Sequence, residues 1–156
     1  MRAYLVVMDE TAEGAVALRW AARRAARNGL GVVILALIPP QEFSQWGGVQ
    51  DALEEEARLR AEAAVLQASG AIIEEAGIRP SILVREGDPV KIIGEMLREG
   101  SEAGEASEIA ALVLGAAAEG GPGPLVSHFA GSVAGSLPCP LIIVPGGLGD
   151  EAPDES

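Results

Sequence analysis

The chain has 156 residues, 49% of them hydrophobic, which is enough for one domain with its own core and no disulfide support. Its net charge of -12 is unevenly spread, because all 11 basic residues lie within residues 1–98 and residues 99–156 carry only acidic charges. A field of this sign repels the phosphates of nucleic acids and of anionic membranes. We therefore exclude nucleic acid and membrane surfaces as partners.

The apolar run at the N-terminus is interrupted by Asp9 and Glu10, too early for a signal peptide or a membrane span. Cys139 is the only cysteine, which excludes an intramolecular disulfide and a cysteine-based zinc site and agrees with a reducing compartment. We expect a cytoplasmic protein.

Five short runs rich in Val, Ile and Leu have the nearly continuous apolar pattern of strands that are buried on both faces of a parallel sheet. These predicted strands are Tyr4–Met8, Val32–Ile38, Ile82–Val84, Ala111–Leu114 and Leu141–Val144.

Helical patterns lie between the strands. The first covers Ala12–Asn28 and stops at Gly29, and its arginines recur every fourth residue, as either a solvated face or a binding patch. The second runs from about Gln50 to Ala76. The third is predicted to begin with Asp88 as its N-cap and Pro89 as its first residue, and to end near Leu97.

Three connecting segments are predicted from their composition. The loop Pro39–Gly48 carries Phe43 and Trp46, which either pack on the sheet or gate a pocket. Residues 100–107 read as an acidic surface connection, and residues 147–156 as a disordered acidic tail. Residues 1–146 then form the single domain.

The alternation of strands and helices implies right-handed crossovers in a doubly wound α/β fold: one five-stranded parallel sheet with helices on both faces. Ligands bind such sheets at the carboxyl ends of the strands, where the strand order reverses. We expect the glycine-rich loop that follows Leu112–Gly115 to lie there, beside Asp9.

Several motifs, in this order and spacing, resemble the universal stress protein family over residues 3–146. They are Asp9 at the end of the first strand, Ala17-Leu18-Arg19-Trp20-Ala21, Gly87-Asp88-Pro89, Leu112–Gly115, Gly131-Ser132-Val133-Ala134 and Pro138–Pro145. The resemblance implies a fold like that of the adenine nucleotide alpha hydrolases and a homodimer formed through the last strand, here Leu141–Val144. It also implies that an adenine nucleotide, ATP or AMP, is a candidate ligand.

Members that bind ATP carry a glycine, two residues, a second glycine, nine residues and then Gly-Ser or Gly-Thr. Gly115 supplies the first glycine here, Ala118 stands in the second position, and Gly121 with nine following residues reaches Gly131-Ser132. The site residues that the resemblance implies are Asp9 and Leu37 around adenine and ribose, and Gly115, Gly121, Gly131, Ser132 and Val133 around the phosphates.

Two features of this segment leave an alternative open. No basic residue follows Arg98, so Mg²⁺ or an arginine from residues 1–98 would have to offset the charge of a triphosphate. The chain also has little room for a helix between the glycines and Pro138. A helix that begins near Pro124 would already use the Gly131 and Ser132 amides, and the loop would then be an ordinary glycine-rich turn.

The sequence offers no catalytic or metal site. It lacks the phosphate-loop and dinucleotide-binding signatures and the G-x-S-x-G elbow, and we interpret the nearby Ser127, His128 and Ser132 as a chance grouping. We expect not an enzyme but a cytoplasmic stress-response homodimer that binds a nucleotide as a regulatory ligand and acts on an unknown protein partner. The alternative is a homodimeric interaction module of the same fold that binds no nucleotide.

Overall fold

A computed structural model of the chain describes residues 2–9, 11–38, 47–102 and 108–148. These residues form a five-stranded, all-parallel sheet with the strand order β3-β2-β1-β4-β5. The strands are β1 (Ala3–Met8), β2 (Gly31–Ile38), β3 (Ser81–Glu86), β4 (Ile109–Ala116) and β5 (Leu141–Pro145). The predicted fold class and all five predicted strands are confirmed.

The helices are α1 (Ala12–Asn28), α2 (Gly47–Ala76), α3 (Pro89–Glu102) and α4 (Pro124–Phe129), followed by a short 3₁₀ turn at Ala134–Ser136. Two bounds differ from the predictions, since α2 begins three residues earlier and α3 continues to Glu102, into the predicted surface connection. Neither extension meets a proline, which is the residue that stops a helix most strongly. Residues 39–46 with Phe43 and Trp46, residues 103–107 and the tail from residue 149 lie outside the described residues, so the predictions for these segments stay predictions.

The ends of α1 are set by local chemistry. The Thr11 side chain caps the helix by accepting a hydrogen bond from the Gly14 backbone N–H at 3.1 Å. Gly29 ends it with a left-handed φ of 70°, a conformation that glycine adopts without steric cost. The third helix begins as predicted, with the Asp88 carboxylate accepting from the Val90 N–H at 3.3 Å.

The alternation of side chains along β1 divides the core into two layers. Tyr4, Val6 and Met8 pack with α1 and α2, whereas Leu5 and Val7 pack with α3 and α4. The sheet is therefore covered by two helices on each face, as a doubly wound fold requires.

The arginine face of α1 is not purely solvated. Arg19 donates from Nε to Glu75 Oε1 at 3.1 Å and from Nη2 to Glu75 Oε2 at 2.7 Å. Because Glu75 lies near the end of α2, this two-bond ion pair joins the two helices on one face of the sheet. Arg24 lies over the Trp20 ring at 5.4 Å from its centroid.

No described helix is both long and apolar enough to span a membrane.

Candidate functional site

The strand order reverses between β1 and β4: the chain proceeds outward from β1 to β2 and β3, and from β4 to β5 on the other side. The loops that leave β1 and β4 therefore diverge at the carboxyl edge of the sheet and leave a crevice between them. The site that the sequence predicts is expected at this crevice.

A small cleft of about 90 Å³ lies at this point. Its lining comes from the end of β1, the first turn of α1, the end of β4 and the start of α4: Val7, Asp9, Thr11, Glu13, Gly14, Leu114, Gly115, Pro122, Gly123, Pro124, Leu125 and Val126. Pockets for small organic ligands usually measure roughly 300–1,000 Å³. The described cleft is therefore smaller than a pocket that encloses a whole small organic ligand.

The Asp9 carboxylate is held by the cap of α1. Asp9 Oδ1 accepts a hydrogen bond from Thr11 Oγ1 at 2.6 Å, while the same Thr11 oxygen accepts from the Gly14 N–H. A Cβ atom on Gly14 would stand 3.3 Å from Thr11 Oγ1 and 3.4 Å from Asp9 Oδ1, so glycine leaves this arrangement undisturbed. Thr11, and not Asp9, is the N-cap of α1, and the second carboxylate oxygen of Asp9 has no partner among the described residues.

Gly115 ends its strand directly against the first turn of α1. A Cβ atom built there would overlap the Glu13 carbonyl oxygen and lie 2.6 Å from the Glu13 carbonyl carbon. Gly146, in the turn after β5, meets the same residue, since its Cβ would stand 2.9 Å from Glu13 Cβ. Both glycines therefore permit α1 to lie close on the ends of β4 and β5, a structural role that the sequence pattern alone does not reveal.

The glycine-rich loop after β4 has three residues in left-handed conformations, Gly120, Gly121 and Gly123, with φ between 80° and 103°. Within the described chain their backbone N–H groups donate no hydrogen bond, and nothing lies within 4 Å of a Cβ atom built on any of them. A single bond from the Ala117 N–H to the Pro122 carbonyl, at 3.3 Å, closes the loop. The loop can therefore offer free amides to an anion.

The second half of the predicted phosphate motif lies elsewhere. Helix α4 begins at Pro124 and ends at Phe129, so Gly131, Ser132 and Val133 follow its carboxyl end, whereas the cleft is lined by its amino end. The Gly131 N–H donates to the His128 carbonyl at 3.3 Å. The helix that begins at Pro124 thus uses the Gly131 amide as the alternative interpretation expected, whereas the Ser132 N–H donates no backbone hydrogen bond among the described residues.

Of the seven predicted site residues, the structure brings Asp9 and Gly115 together in the cleft, with Gly121 in the adjoining loop. Leu37 is buried in the core beneath α3 and α4, one strand away. Glu13 also lines the cleft and was not among the predicted site residues. Its signal was available, because an acidic residue in the first turn of a helix that follows β1 must lie at the carboxyl edge of the sheet.

The charges of the cleft are all negative. Asp9 and Glu13 contribute carboxylates, and none of the lining residues is a lysine or an arginine. No described group of three or more His, Cys, Asp or Glu residues could hold a metal ion. An anionic ligand at this position would be held by backbone N–H groups rather than by cationic side chains.

The residues that could suggest nucleophilic catalysis do not interact within the described chain. Ser127, His128 and Ser132 are all exposed, and His128 makes no hydrogen bond to either serine. Its ring instead meets Phe129 edge-on, with centroids 4.8 Å apart.

A larger groove of about 810 Å³ lies at the opposite, amino edge of the sheet, between α3 and the starts of β1, β2 and β3. It has apolar walls and charged residues of both signs at its rim. It contains none of the residues that the sequence predicts for the site.

Comparison with known proteins supports the same fold. The family model described as "Universal stress protein family" matches residues 1–145. Among solved structures, the universal stress protein UspA from Lactobacillus plantarum is similar at 19% identity and a TM-score of 0.74, covering 92% of this chain and 97% of that one.

Two further similar structures hold ligands. A universal stress protein from Archaeoglobus fulgidus in complex with dAMP has 20% identity and a TM-score of 0.59, over 92% of this chain and 97% of that one. A universal stress protein in complex with cAMP has the same identity and TM-score, over 92% and 96% of the two chains. No curated protein sequence matches the chain.

Proposed function

The chain belongs to the universal stress protein family, and on that premise we propose that it binds an adenine nucleoside monophosphate as a regulatory ligand at the cleft between β1 and β4. The observation that carries the proposal is the convergence, at this cleft, of an Asp9 carboxylate oxygen and a loop of glycine amides that have no hydrogen-bond partner among the described residues. The dAMP and cAMP complexes of similar folds support the choice of ligand.

Each group has a distinct task in this proposal. The free oxygen of Asp9 accepts a hydrogen bond from the ribose hydroxyls or the adenine amino group. The N–H groups of Gly120, Gly121 and Gly123 donate to the single phosphate, and glycine permits the left-handed backbone that directs them outward. Ligand binding then orders the Gly115–Ser132 segment and changes the surface that a protein partner meets.

A triphosphate fits these residues less well than a monophosphate. No cationic side chain lines the cleft, and Gly131 and Ser132 lie at the far end of α4. ATP would need Mg²⁺ to neutralise its phosphates here, whereas AMP brings a single phosphate with a smaller charge. The proposal therefore favours AMP over ATP.

Binding is tested by denaturing the purified protein and analysing the supernatant for AMP and ATP by mass spectrometry, followed by calorimetric titration with AMP. We expect Asp9→Asn to weaken AMP binding about tenfold, because a charge-assisted hydrogen bond to ribose or adenine is lost. Asp88→Asn is the matched control, since it makes the same change beside a different strand end and asparagine still caps α3. Equal affinities of the two variants would contradict the assignment.

Hydrogen exchange tests the regulatory part of the proposal. Addition of AMP should slow amide exchange within Gly115–Ser132 and leave α2 unchanged. Unchanged exchange in that segment, with AMP bound, would show that the ligand does not order the loop.

A second candidate function is an interaction module that binds no nucleotide. The small cleft volume and its uniformly negative lining favour it. It predicts no co-purified nucleotide and no heat of binding with millimolar AMP or ATP, a result that would remove the first candidate.

Both candidates include a cytoplasmic homodimer that pairs through β5. This strand lies at the edge of the sheet. Its Ile143 is 40% exposed, because α4 is short and leaves the end of the sheet face on which it packs uncovered. We expect Ile143→Lys to convert the dimer to a monomer in light scattering. Ile82→Lys on the opposite edge strand, where the side chain is 38% exposed, should leave the dimer intact. A monomeric wild-type protein would refute the proposed assembly.

A further inference from the structure

We propose that Glu13 determines which ligands enter this cleft, by placing a fixed negative charge that disfavours polyphosphates. The inference rests on the proposed function, since it concerns the choice of ligand at the same cleft. It assigns a specificity role to a residue outside the predicted phosphate motif.

The backbone and the Cβ atom of Glu13 are held in place beside the cleft. Its carbonyl group lies so close to Gly115 that no Cβ atom fits between them, and its own Cβ approaches Gly146 with similar tightness. The Thr11 cap holds the same helical turn from the other side. The carboxylate carbon is two bonds beyond this Cβ, so the negative charge remains near the cleft that Glu13 lines whichever rotamer the side chain adopts.

No cation neutralises this carboxylate within the described chain. Glu13 forms no ion pair or side-chain hydrogen bond there, although it is half-buried. The other charged residue of the lining is Asp9, and the adjoining loop adds only Glu119. The nearest arginine along α1, Arg19, pairs with Glu75. Among the described residues no cation therefore offsets the charge of Glu13, which is reduced only by the partial positive charge at the amino end of α1, by solvent and by salt.

The repulsion increases with the number of charges on the ligand. Adenosine is neutral. At neutral pH AMP carries about two negative charges and ATP about four, because neutral pH lies above the usual second phosphate pKa of about 6. At distances within about one Debye length of 8–10 Å, each of these charges interacts with a fixed carboxylate. Glu13 should therefore penalise ATP most, AMP less and adenosine not at all.

The test compares wild-type protein with Glu13→Gln, which removes the charge and keeps nearly the same shape. Affinities for adenosine, AMP, ADP and ATP are measured by calorimetry in low and in high salt, without Mg²⁺. We expect the variant to bind ATP at least about tenfold more tightly and AMP about threefold more tightly, with adenosine unchanged and the gain reduced by salt. Glu95→Gln on α3 controls for net charge, and thermal unfolding checks that both variants fold.

The possible results separate the inference from the proposed function. Equal gains for all four ligands, or equal behaviour of Glu13→Gln and Glu95→Gln, would overturn the role of Glu13 while AMP binding stands. A wild-type protein that binds none of the ligands, together with a variant that binds ATP, would support the role of Glu13 and refute nucleotide binding by the natural chain. Absence of binding by both forms would refute both.

Discussion

Replacement of Gly115 by alanine tests whether this position requires glycine because helix α1 packs against it or because a ligand does. The added Cβ would overlap the Glu13 carbonyl oxygen and approach its carbonyl carbon to 2.6 Å. Both atoms belong to the backbone of α1, so no rotamer change can relieve the contact and the whole first turn must shift. Overpacking of this kind costs about 1–3 kcal/mol, and a backbone clash belongs at the upper end.

A loss of about 3 kcal/mol in a chain of this size lowers the melting temperature by roughly 6–12 °C, since each kcal/mol corresponds to about 2–4 °C. Thermal unfolding is followed by far-ultraviolet circular dichroism without ligand. Gly70→Ala is the matched control, because this glycine lies inside α2 with nothing within 4 Å of its added Cβ. There the substitution should stabilise the protein by about 0.5–1 kcal/mol.

A second substitution, at Glu13, should not restore the stability that Gly115→Ala loses. Glu13→Ala leaves the offending carbonyl group in place, so the double variant should melt as low as Gly115→Ala alone. A melting temperature for Gly115→Ala at or above that of the wild type would refute the close contact with α1. The glycine would then be free to serve a ligand.

Three further predictions concern single interactions. Thr11→Ala removes the acceptor for the Gly14 N–H and should cost about 1 kcal/mol in urea unfolding, while Thr11→Ser retains the cap; equal losses would contradict this role. Glu75→Gln breaks the partly exposed pair with Arg19, whose side chain is 28% exposed, so the cost should stay below about 1 kcal/mol and shrink in high salt. Burial raises the pKa of the Cys139 thiol, and a hydrogen bond with the Leu112 backbone lowers it by less. Iodoacetamide should therefore alkylate the native thiol more slowly than the urea-unfolded one at equal pH. Since the raised pKa favours the protonated thiol, the associated stability is present below the ordinary thiol pKa of about 8.5 and is lost as the pH rises through the native value. Equal alkylation rates would show that the thiol is not buried as described.

The position of the site could be predicted from the sequence, but its composition could not. Asp9 and Gly115 end two strands, and the carboxyl ends of parallel strands share one edge of a sheet, so their proximity follows from the order of the elements. The spacing that leads from Gly121 to Gly131-Ser132 matches a family motif. Spacing does not specify that α4 would begin at Pro124 and carry Gly131 and Ser132 to its far end.

The amino-acid sequence by itself determined the fold, because continuous apolar runs specify strands buried on both faces, and Gly29 and Asp88 act on helix ends through neighbouring residues alone. Only the tertiary structure decided what surrounds the cleft. Glu13 is distant in sequence from Gly115, and Arg19 is distant from Glu75. Local sequence patterns therefore do not predict these two contacts. The physical reason is that close packing depends on the shapes of two surfaces together, and the residues that form each surface come from a different part of the chain.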